Sequence, residues 1–258
     1  MPSKKTRKKL HYRFIRKIVS LFYKKREFIG LENLPSQPCV IVCNHSKTHG
    51  PLMSELYYPR DKYIWCIGQM MKMKESPNYA FGDFWSKKPK RIRWVYKILS
   101  YIIAPIAVYL FNNADCIAVY KDMRVMSTYK DTVKGLEEGR DVVIFPEMHE
   151  PYNHIINDFQ ERFVDVARLY YQKNKKPLAF VPTYHAVKLK KVVFGKPIYF
   201  DPETPLDELR TIICEKLKEE ITNIAISLPK HKVVPYENVR KRNFTTNVLE
   251  GNEHVNLI

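Results

Sequence analysis

Short apolar runs alternate with amphipathic segments along most of this chain, and this alternation restricts the fold more than any other feature of the sequence. The runs are typical of strands buried on both faces of a sheet: Cys39–Cys43, Tyr63–Ile67, Cys116–Tyr120, Val142–Phe145 and Leu178–Pro182, with a further strand or hairpin arm at Lys190–Phe200. Apolar residues at helical spacing mark Met123–Glu138, Phe159–Gln172 and Leu206–Ile226. The pattern predicts an α/β fold, a single domain with a mostly parallel central sheet flanked by helices.

The first 26 residues combine strong positive charge with helical periodicity. They contain eleven Lys or Arg residues and no Asp or Glu. Apolar side chains recur through them at helical spacing, at Leu10, Phe14, Ile15, Ile18, Val19 and Phe22. We therefore predict a basic amphipathic segment over residues 1–27, a folded domain over 28–228 and a polar tail over 229–258. Such a segment is typical of helices that lie in the headgroup layer of an anionic membrane, although a basic arm before a core helix gives the same pattern.

The whole chain is basic. Its 44 Lys and Arg residues against 27 Asp and Glu give a formal net charge of +17, which predicts attraction to anionic lipid, nucleic acid or phosphorylated substrates. Basic and aromatic residues interleave between Met70 and Arg93, a segment that we expect to be loop-rich. This mixture suits single-stranded nucleic acid, but no recognisable nucleic-acid module accompanies it. The expected partner is an anionic membrane surface, and no nucleic acid is expected.

One apolar stretch, Ile98–Phe111, has no charged residue. It is shorter than the ~20 residues that span a bilayer and Pro105 interrupts it, so no transmembrane span is predicted. A buried helix is one alternative, and an element that lies against lipid or lines an acyl-chain pocket is the other. The five cysteines include no CxxC pair and no secretory signal peptide opens the chain, which indicates a reducing, cytosolic setting. The expected location is the cytoplasmic face of a membrane, peripheral or monotopic.

Polar clusters follow two of the predicted strands. Asn44 and His45 come directly after the first apolar run, and Pro146 and Glu147 come directly after the fourth. Ligands of α/β sheets usually bind beyond the carboxyl ends of the strands, so a site is expected where these clusters meet. Taken singly, the histidine would only cap a turn and the glutamate would only begin a helix.

Four short blocks of the sequence share their order and spacing with one enzyme family. They are Asn44–Gly50, Asp115–Lys121, Phe145–Met148 and Phe180–Pro182. They resemble, in turn, the Asn-His-x4-Asp, Gly-x-x-Phe-Ile-x-Arg, Phe-Pro-Glu-Gly and Val-Pro blocks of the glycerol-3-phosphate and lysophosphatidate (1-acylglycerol-3-phosphate) acyltransferases. The resemblance runs from about Phe28 to Ile226, which is most of the chain.

The resemblance implies acyl transfer as the chemistry of the predicted site. His45 would act as general base on a hydroxyl of a lysophospholipid-like acceptor, which then attacks the thioester of acyl-CoA or acyl-carrier protein. No cofactor beyond that co-substrate and no metal is implied. Glu147 is the second catalytic residue, and the resemblance places the substrate-binding residues at Asn44, Lys121, Pro146, Met148 and Pro182. Such an activity belongs to phospholipid biosynthesis and lipid metabolism.

The sequence departs from the family pattern at three positions. Gly50 stands where the family has Asp, Lys121 where it has Arg, and Met148 where it has Gly. Lysine keeps the charge but loses the bidentate fork, which indicates an acceptor other than lysophosphatidate.

Without the aspartate, three alternatives remain for the imidazole of His45. Another carboxylate orients it, and the candidates are Glu55, Asp83 and Glu150; or His49, one helical turn away, accepts its N–H; or the protein has lost acyl transfer and only binds lipid. We favour retained activity, because both His45 and Glu147 are present. A metal hydrolase built on the His45-x3-His49 spacing is not favoured, because the zincin glutamate is missing. The oligomeric state is left open.

Overall fold

The central sheet of the computed structural model, which describes residues 9–86, 88–237 and 239–248, has eight strands. In chain order, they are β1 (Glu27–Ile29), β2 (Val40–Cys43), β3 (Lys62–Ile67), β4 (Cys116–Val119), β5 (Asp141–Ile144), β8 (Ala179–Ala186), β9 (Lys191–Phe194) and β10 (Ile198–Tyr199). A separate antiparallel pair, β6 (Glu147–Tyr152) and β7 (Asn157–Phe159), follows β5. All five predicted runs form strands, and the predicted arm at Lys190–Phe200 forms the two short strands β9 and β10.

The strand order is β1-β9-β8-β2-β5-β3-β4, and β10 pairs with β8. The pairs β8–β2, β2–β5, β5–β3, β3–β4 and β1–β9 are parallel, whereas β9 and β10 run antiparallel to β8. The mostly parallel α/β sheet predicted from the sequence is therefore confirmed. The middle strands β8, β2 and β5 are buried along their whole length, as expected for strands with both faces covered.

Seven α-helices lie around the sheet in the described part of the chain. They are α1 (Leu10–Phe22), α2 (His49–Tyr57), α3 (Ser76–Ala80), α4 (Arg93–Asn113), α5 (Val125–Glu137), α6 (Asp165–Asn174) and α7 (Leu206–Ser227). The predicted helices at Met123–Glu138 and Leu206–Ile226 are confirmed. The one predicted from Phe159 begins too early, because Phe159 still pairs in β7 and a 3-10 turn, Glu161–Val164, precedes α6.

Side chains alternate between the two faces of the sheet, and each face has its own core. Along β2, Val40 and Val42 point into the larger core, which α5, α6 and α7 cover. Ile41 and Cys43 point into the smaller core, which includes Met53 of α2. This period-two alternation places α2 on the opposite face of the sheet from the three longer amphipathic helices.

The segment between Met70 and Arg93 is more regular than expected. It contains α3, a π-helical turn at Phe81–Trp85 and a 3-10 turn at Lys90–Ile92. The expectation of a loop-rich excursion is therefore wrong for most of its length. Alternating aromatic and basic residues disguised the helical periodicity, because these turns are too short to show a full apolar stripe.

Helix α4 is longer and more exposed than the sequence indicated. It begins at Arg93 and continues through Pro105, whose ring nitrogen has no N–H to donate to the preceding turn. The segment Lys90–Asn113 is long and apolar enough to cross a membrane by length and composition, and 17% of its most apolar window is buried. The helix is therefore longer than the apolar stretch Ile98–Phe111 that the sequence showed. The buried-helix alternative is wrong, because Ile98, Ile102 and Ile106 are each more than half exposed.

Helix α1 carries a second exposed apolar stripe. Its inner face is fixed by Tyr12, which donates a hydrogen bond to Glu55 Oε1 at 2.8 Å, and by Arg16, which donates to the carbonyl of Leu56 at 2.7 Å. On its outer face Leu10, Phe14 and Phe22 are 74%, 65% and 86% exposed. An ordinary core helix is therefore excluded for α1. The basic residues before Lys9 lie outside the described residues.

Candidate active site

Three neighbouring strands bring the predicted polar clusters together. Val42 of β2 pairs with Ile144 of β5 on one side and with Pro182 of β8 on the other, in parallel register. Because parallel strands end at the same edge, the residues that follow β2 and β5 meet beside the last residues of β8. This edge contains His45, Glu147 and a residue that the sequence analysis did not single out, His185.

The imidazole of His45 lies in an aromatic environment. Its ring centroid is 5.3 Å from that of Phe145, in an edge arrangement, and 4.9 Å from that of Tyr236. Burial lowers the pKa of His45, and contacts with the backbone of Lys47 and of His45 itself offset this only in part. Within the described residues, Nδ1 is buried and makes no hydrogen bond. The ring is therefore neutral at neutral pH, which is the form that a general base requires.

Glu147 holds the backbone of His45 rather than its ring. One carboxylate oxygen accepts a hydrogen bond from the N–H of His45, and the other accepts one from the N–H of Asn157 at 3.2 Å. The side chain is 4% exposed, and burial raises the pKa of Glu147 to about 7, against the opposing effect of the two N–H donors. In this arrangement Glu147 positions the loop that carries the imidazole.

The chain turns sharply after His45. Ser46 and Lys47 both have positive φ, 48° and 56°, a conformation that costs energy in residues other than glycine. The turn lets the N–H of Gly50 donate to the carbonyl of His45 at 3.2 Å as α2 begins. The strained turn aims His45 out of the strand direction and over the sheet edge.

Close packing explains why a glycine occupies position 50. A Cβ atom there would lie 2.7 Å from the ring of Phe145, 2.8 Å from the carbonyl oxygen of His45 and 3.0 Å from Nδ1 of His185. These separations are shorter than ordinary van der Waals contacts. The space that the aspartate of the family motif would need is therefore already filled.

His185 is a buried neutral imidazole next to this glycine. Burial, together with the smaller effects of the nearby His45 and Arg26, lowers the pKa of His185 to about 3. Its backbone N–H donates to Asn44 Oδ1 at 2.6 Å, and among the described residues its Nδ1 has no hydrogen-bond partner. Asn44, predicted to bind substrate, is 2% exposed and joins β2 to β8 through this bond.

The remaining predicted binding residues fall into two groups. Pro146, Met148 and Pro182 lie near the site and use their backbone carbonyls, which accept hydrogen bonds from Gln160, Asn157 and Gly195. Lys121 is exposed and follows β4, an edge strand. Since β5 and β3 separate β4 from β2, it follows a strand roughly 14 Å from the one that carries His45.

Of the four candidates for orienting His45, two make other contacts and two are exposed. His49 Nδ1 lies 3.2 Å from the hydroxyl of Tyr23, and Glu55 accepts hydrogen bonds from Tyr12 and from Lys62. Asp83 and Glu150 are exposed. Within the described residues, no group of three or more His, Cys, Asp or Glu side chains is arranged to hold a metal ion.

Comparison with known proteins gives a weak structural likeness. No protein-family model matches the sequence, and no curated protein sequence matches it. Among solved structures, the chain is similar to the 1-acyl-sn-glycerophosphate (LPA) acyltransferase PlsC from Thermotoga maritima, with 13% identity and a TM-score of 0.45, over 83% of this chain and 78% of that one. A likeness of this size carries no information about activity.

We predict that restoring the motif aspartate destabilises the protein. Gly50→Asp should lower the free energy of unfolding by about 1–3 kcal/mol, the usual cost of overpacking a core, because Phe145 and His185 would have to move. Gly82→Asp is the matched control, since a Cβ at Gly82 meets no atom within 4 Å. Urea unfolding of both variants measures the effect, and equal stability of the two would contradict the packing argument.

We also predict a pH-dependent contribution of Glu147 to stability. Its carboxyl group has a pKa raised from 4.5 to about 7 in the folded protein, so the folded state binds more protons than the unfolded state between these values. Stability from this group is therefore greatest below pH 4.5 and is lost as pH rises to about 7, by roughly 3 kcal/mol in total. The unfolding free energies of the wild type and of Glu147→Gln are measured from pH 4.5 to 8. The stability of the wild type relative to the variant should decrease as pH rises. A difference that is independent of pH would refute this.

Proposed function

We propose that this protein is an acyltransferase in which His45 is the general base. The observation that carries the proposal is the neutral imidazole of His45, held at the carboxyl edge of a parallel sheet by a buried carboxylate that binds its own backbone N–H. The sequence blocks that contain these two residues resemble those of the glycerolipid acyltransferases. The acceptor is the hydroxyl of a lysophospholipid-like lipid, and the donor is the thioester of acyl-CoA or acyl-carrier protein.

In the proposed reaction, the imidazole takes the proton of the acceptor hydroxyl as its oxygen attacks the thioester carbon. The carbon–sulfur bond then breaks, and the thiolate leaves and takes up a proton, for which the His45 imidazolium is the nearest donor. The products are an ester and a free thiol. Glu147 keeps the base in place, because its carboxylate binds the His45 N–H from the adjacent strand.

The absence of the aspartate has different consequences for the orientation of the His45 imidazole and for the stability of its cation. In a triad, an Asp both orients the imidazole and stabilises its cation, and replacing it with Asn costs about 10⁴-fold in rate. Here the rings of Phe145 and Tyr236 flank the imidazole and restrict its orientation, but neither ring carries a negative charge. We therefore expect transfer that is slow compared with that of an enzyme with the complete motif.

A second candidate function is lipid binding without catalysis. The buried Nδ1 of His45, which makes no hydrogen bond within the described residues, favours it. An imidazolium formed in that position would be poorly stabilised. The two candidates share the same fold and the same lipid ligand. They differ in whether the protein transfers an acyl group, which requires His45.

We propose further that the protein docks on an anionic membrane from the cytoplasmic side. Helix α4 exposes Trp94, Ile98, Ile102 and Ile106, and Lys90, Arg91 and Lys97 are exposed at its start. Its inner face, with Ser100 and Ala104, is buried against the domain. A helix held to the domain along one face lies against a membrane rather than across it, which supports a monotopic arrangement. No nucleic-acid partner is proposed.

We predict that His45→Ala reduces acyl transfer by about 10²- to 10⁴-fold, the usual contribution of a general base. The assay measures esterification of lysophospholipids by radiolabelled acyl-CoA and acyl-carrier protein. In the wild type, kcat/KM should rise with pH through a pKa below 6.5 and then level off, because burial lowers the pKa of His45.

His154→Asn is the control for this variant, since His154 is exposed and asparagine tolerates its positive φ. It should retain full activity. Both variants should bind vesicles as the wild type does. Absence of transfer in the wild type, together with unchanged vesicle binding by His45→Ala, would favour the lipid-binding candidate.

We predict that Ile98→Glu combined with Ile102→Glu weakens membrane binding by on the order of 100-fold, because inserting two such side chains contributes about 3 kcal/mol or more. Flotation with vesicles of phosphatidylglycerol and phosphatidylcholine measures the binding. Leu31→Glu is the control, since Leu31 is 43% exposed and lies just after β1. Strand β1 is at the opposite edge of the sheet from β4, the strand that follows α4. Equal flotation of the two variants would rule out α4 as the docking element.

A further inference from the structure

A closed loop from the end of the described chain covers His45. Lys232 pairs with Thr246, and the N–H of Val233 donates to the carbonyl of Thr245 at 3.0 Å. Just outside this bridge, the N–H of His231 donates to Asn247 Oδ1 at 2.8 Å, and the Asn247 amide donates to the carbonyl of Ala225 in α7 at 2.8 Å. These bonds fix both ends of the loop, described over residues 233–237 and 239–245, to the domain.

The tip of the loop rests on the candidate catalytic residue. The centroid of the Tyr236 ring lies 4.9 Å from that of His45 and 5.2 Å from that of His149. Glu237 lies 3.5 Å from Nδ1 of His149, and Lys47 Nζ donates to the carbonyl of Val239 at 3.1 Å. The loop therefore spans the sheet edge from β6 to the turn that follows His45.

The loop is held more strongly at its two ends than at its tip. At the ends of the loop, His231 and Asn247 are 6% and 1% exposed. At the tip, the side chains of the His149–Glu237 pair are 74% and 43% exposed, and exposed ion pairs contribute little, about 0–1 kcal/mol. The tip is therefore the part of the loop that we expect to move if an acceptor enters.

We propose that Tyr236 is the residue that makes this site select an acceptor hydroxyl over water. The inference rests on the proposed function. With Tyr236 in contact with the imidazole, no acceptor can lie within hydrogen-bond reach on that side, so the tip must move to admit one. When the tip is closed, the phenol ring covers the base and excludes water from it.

Exclusion of water matters because one base serves two competing reactions. An acceptor alcohol and an acyl thioester give an ester and a thiol, whereas water and the same thioester give a carboxylic acid and a thiol. A buried imidazole next to a thioester would deprotonate either nucleophile, and closure of a site is a general means of preventing hydrolysis. Tyr236 is the large side chain that separates His45 from solvent on the loop side.

The first experiment measures access to His45 without any substrate. Diethyl pyrocarbonate modifies neutral imidazoles, and mass spectrometry of the peptide that contains His45 gives its rate of modification, with exposed His154 as internal reference. Tyr236→Ala should be modified at His45 on the order of tenfold faster than the wild type, as expected when a local closing contact is lost. Tyr236→Phe keeps the ring and should match the wild type. Equal rates for all three proteins would overturn the proposal that Tyr236 covers His45.

The second experiment measures partition of the acyl group. Wild type and variants receive acyl-CoA and a lysophospholipid, and the ratio of free fatty acid to esterified lipid is measured. The ratio should rise at least several-fold in Tyr236→Ala and stay unchanged in Tyr236→Phe and in Tyr199→Ala, a control on exposed Tyr199 of β10. Faster modification of His45 with an unchanged ratio would overturn the role in excluding water.

The two experiments distinguish failure of the Tyr236 proposal from failure of the proposed function. If the wild type neither transfers nor hydrolyses acyl groups, the proposed function fails, while the modification rates still decide whether Tyr236 covers His45. Thermal unfolding of each variant confirms that it is folded, and Tyr236→Phe keeps the test informative if Tyr236→Ala is unstable.

Discussion

The candidate site depends on one buried carboxylate. Glu147 follows β5, and its two oxygens accept the N–H groups of His45, after β2, and of Asn157, in β7. The same side chain thus fixes the strained turn of the His45 loop and the hairpin beside it. Burial makes this carboxylate costly to ionise, as its raised pKa shows. The protein accepts that cost where two loops must be held in one geometry, which is common at functional sites.

The glycine at position 50 has a related explanation. In sequence it reads as the loss of a catalytic aspartate, but the structure shows a position where Phe145 and His185 leave no space for a side chain. Packing therefore accounts for the glycine at this position. The rings of Phe145 and Tyr236 flank the imidazole of His45, and neither ring carries a negative charge.

Much of the fold was predictable because its signals are local. Buried parallel strands are continuous apolar runs, amphipathic helices show their periodicity, and polar residues after strands predict a site at the carboxyl edge. The rest depends on contacts between distant residues. No pattern near Tyr236 indicates that it reaches His45, and the strand order that separates Lys121 from His45 is not written in either segment. His185 lies one residue before the end of the buried strand β8, where a histidine is easily taken for a core residue.

The order of chain synthesis gives the loop over His45 a further consequence. Every strand and helix that builds the sheet edge precedes residue 233, so the ribosome completes the edge before it produces the segment that covers it. Until the bridge between Lys232 and Thr246 forms, Tyr236 is not held over His45 in the nascent chain.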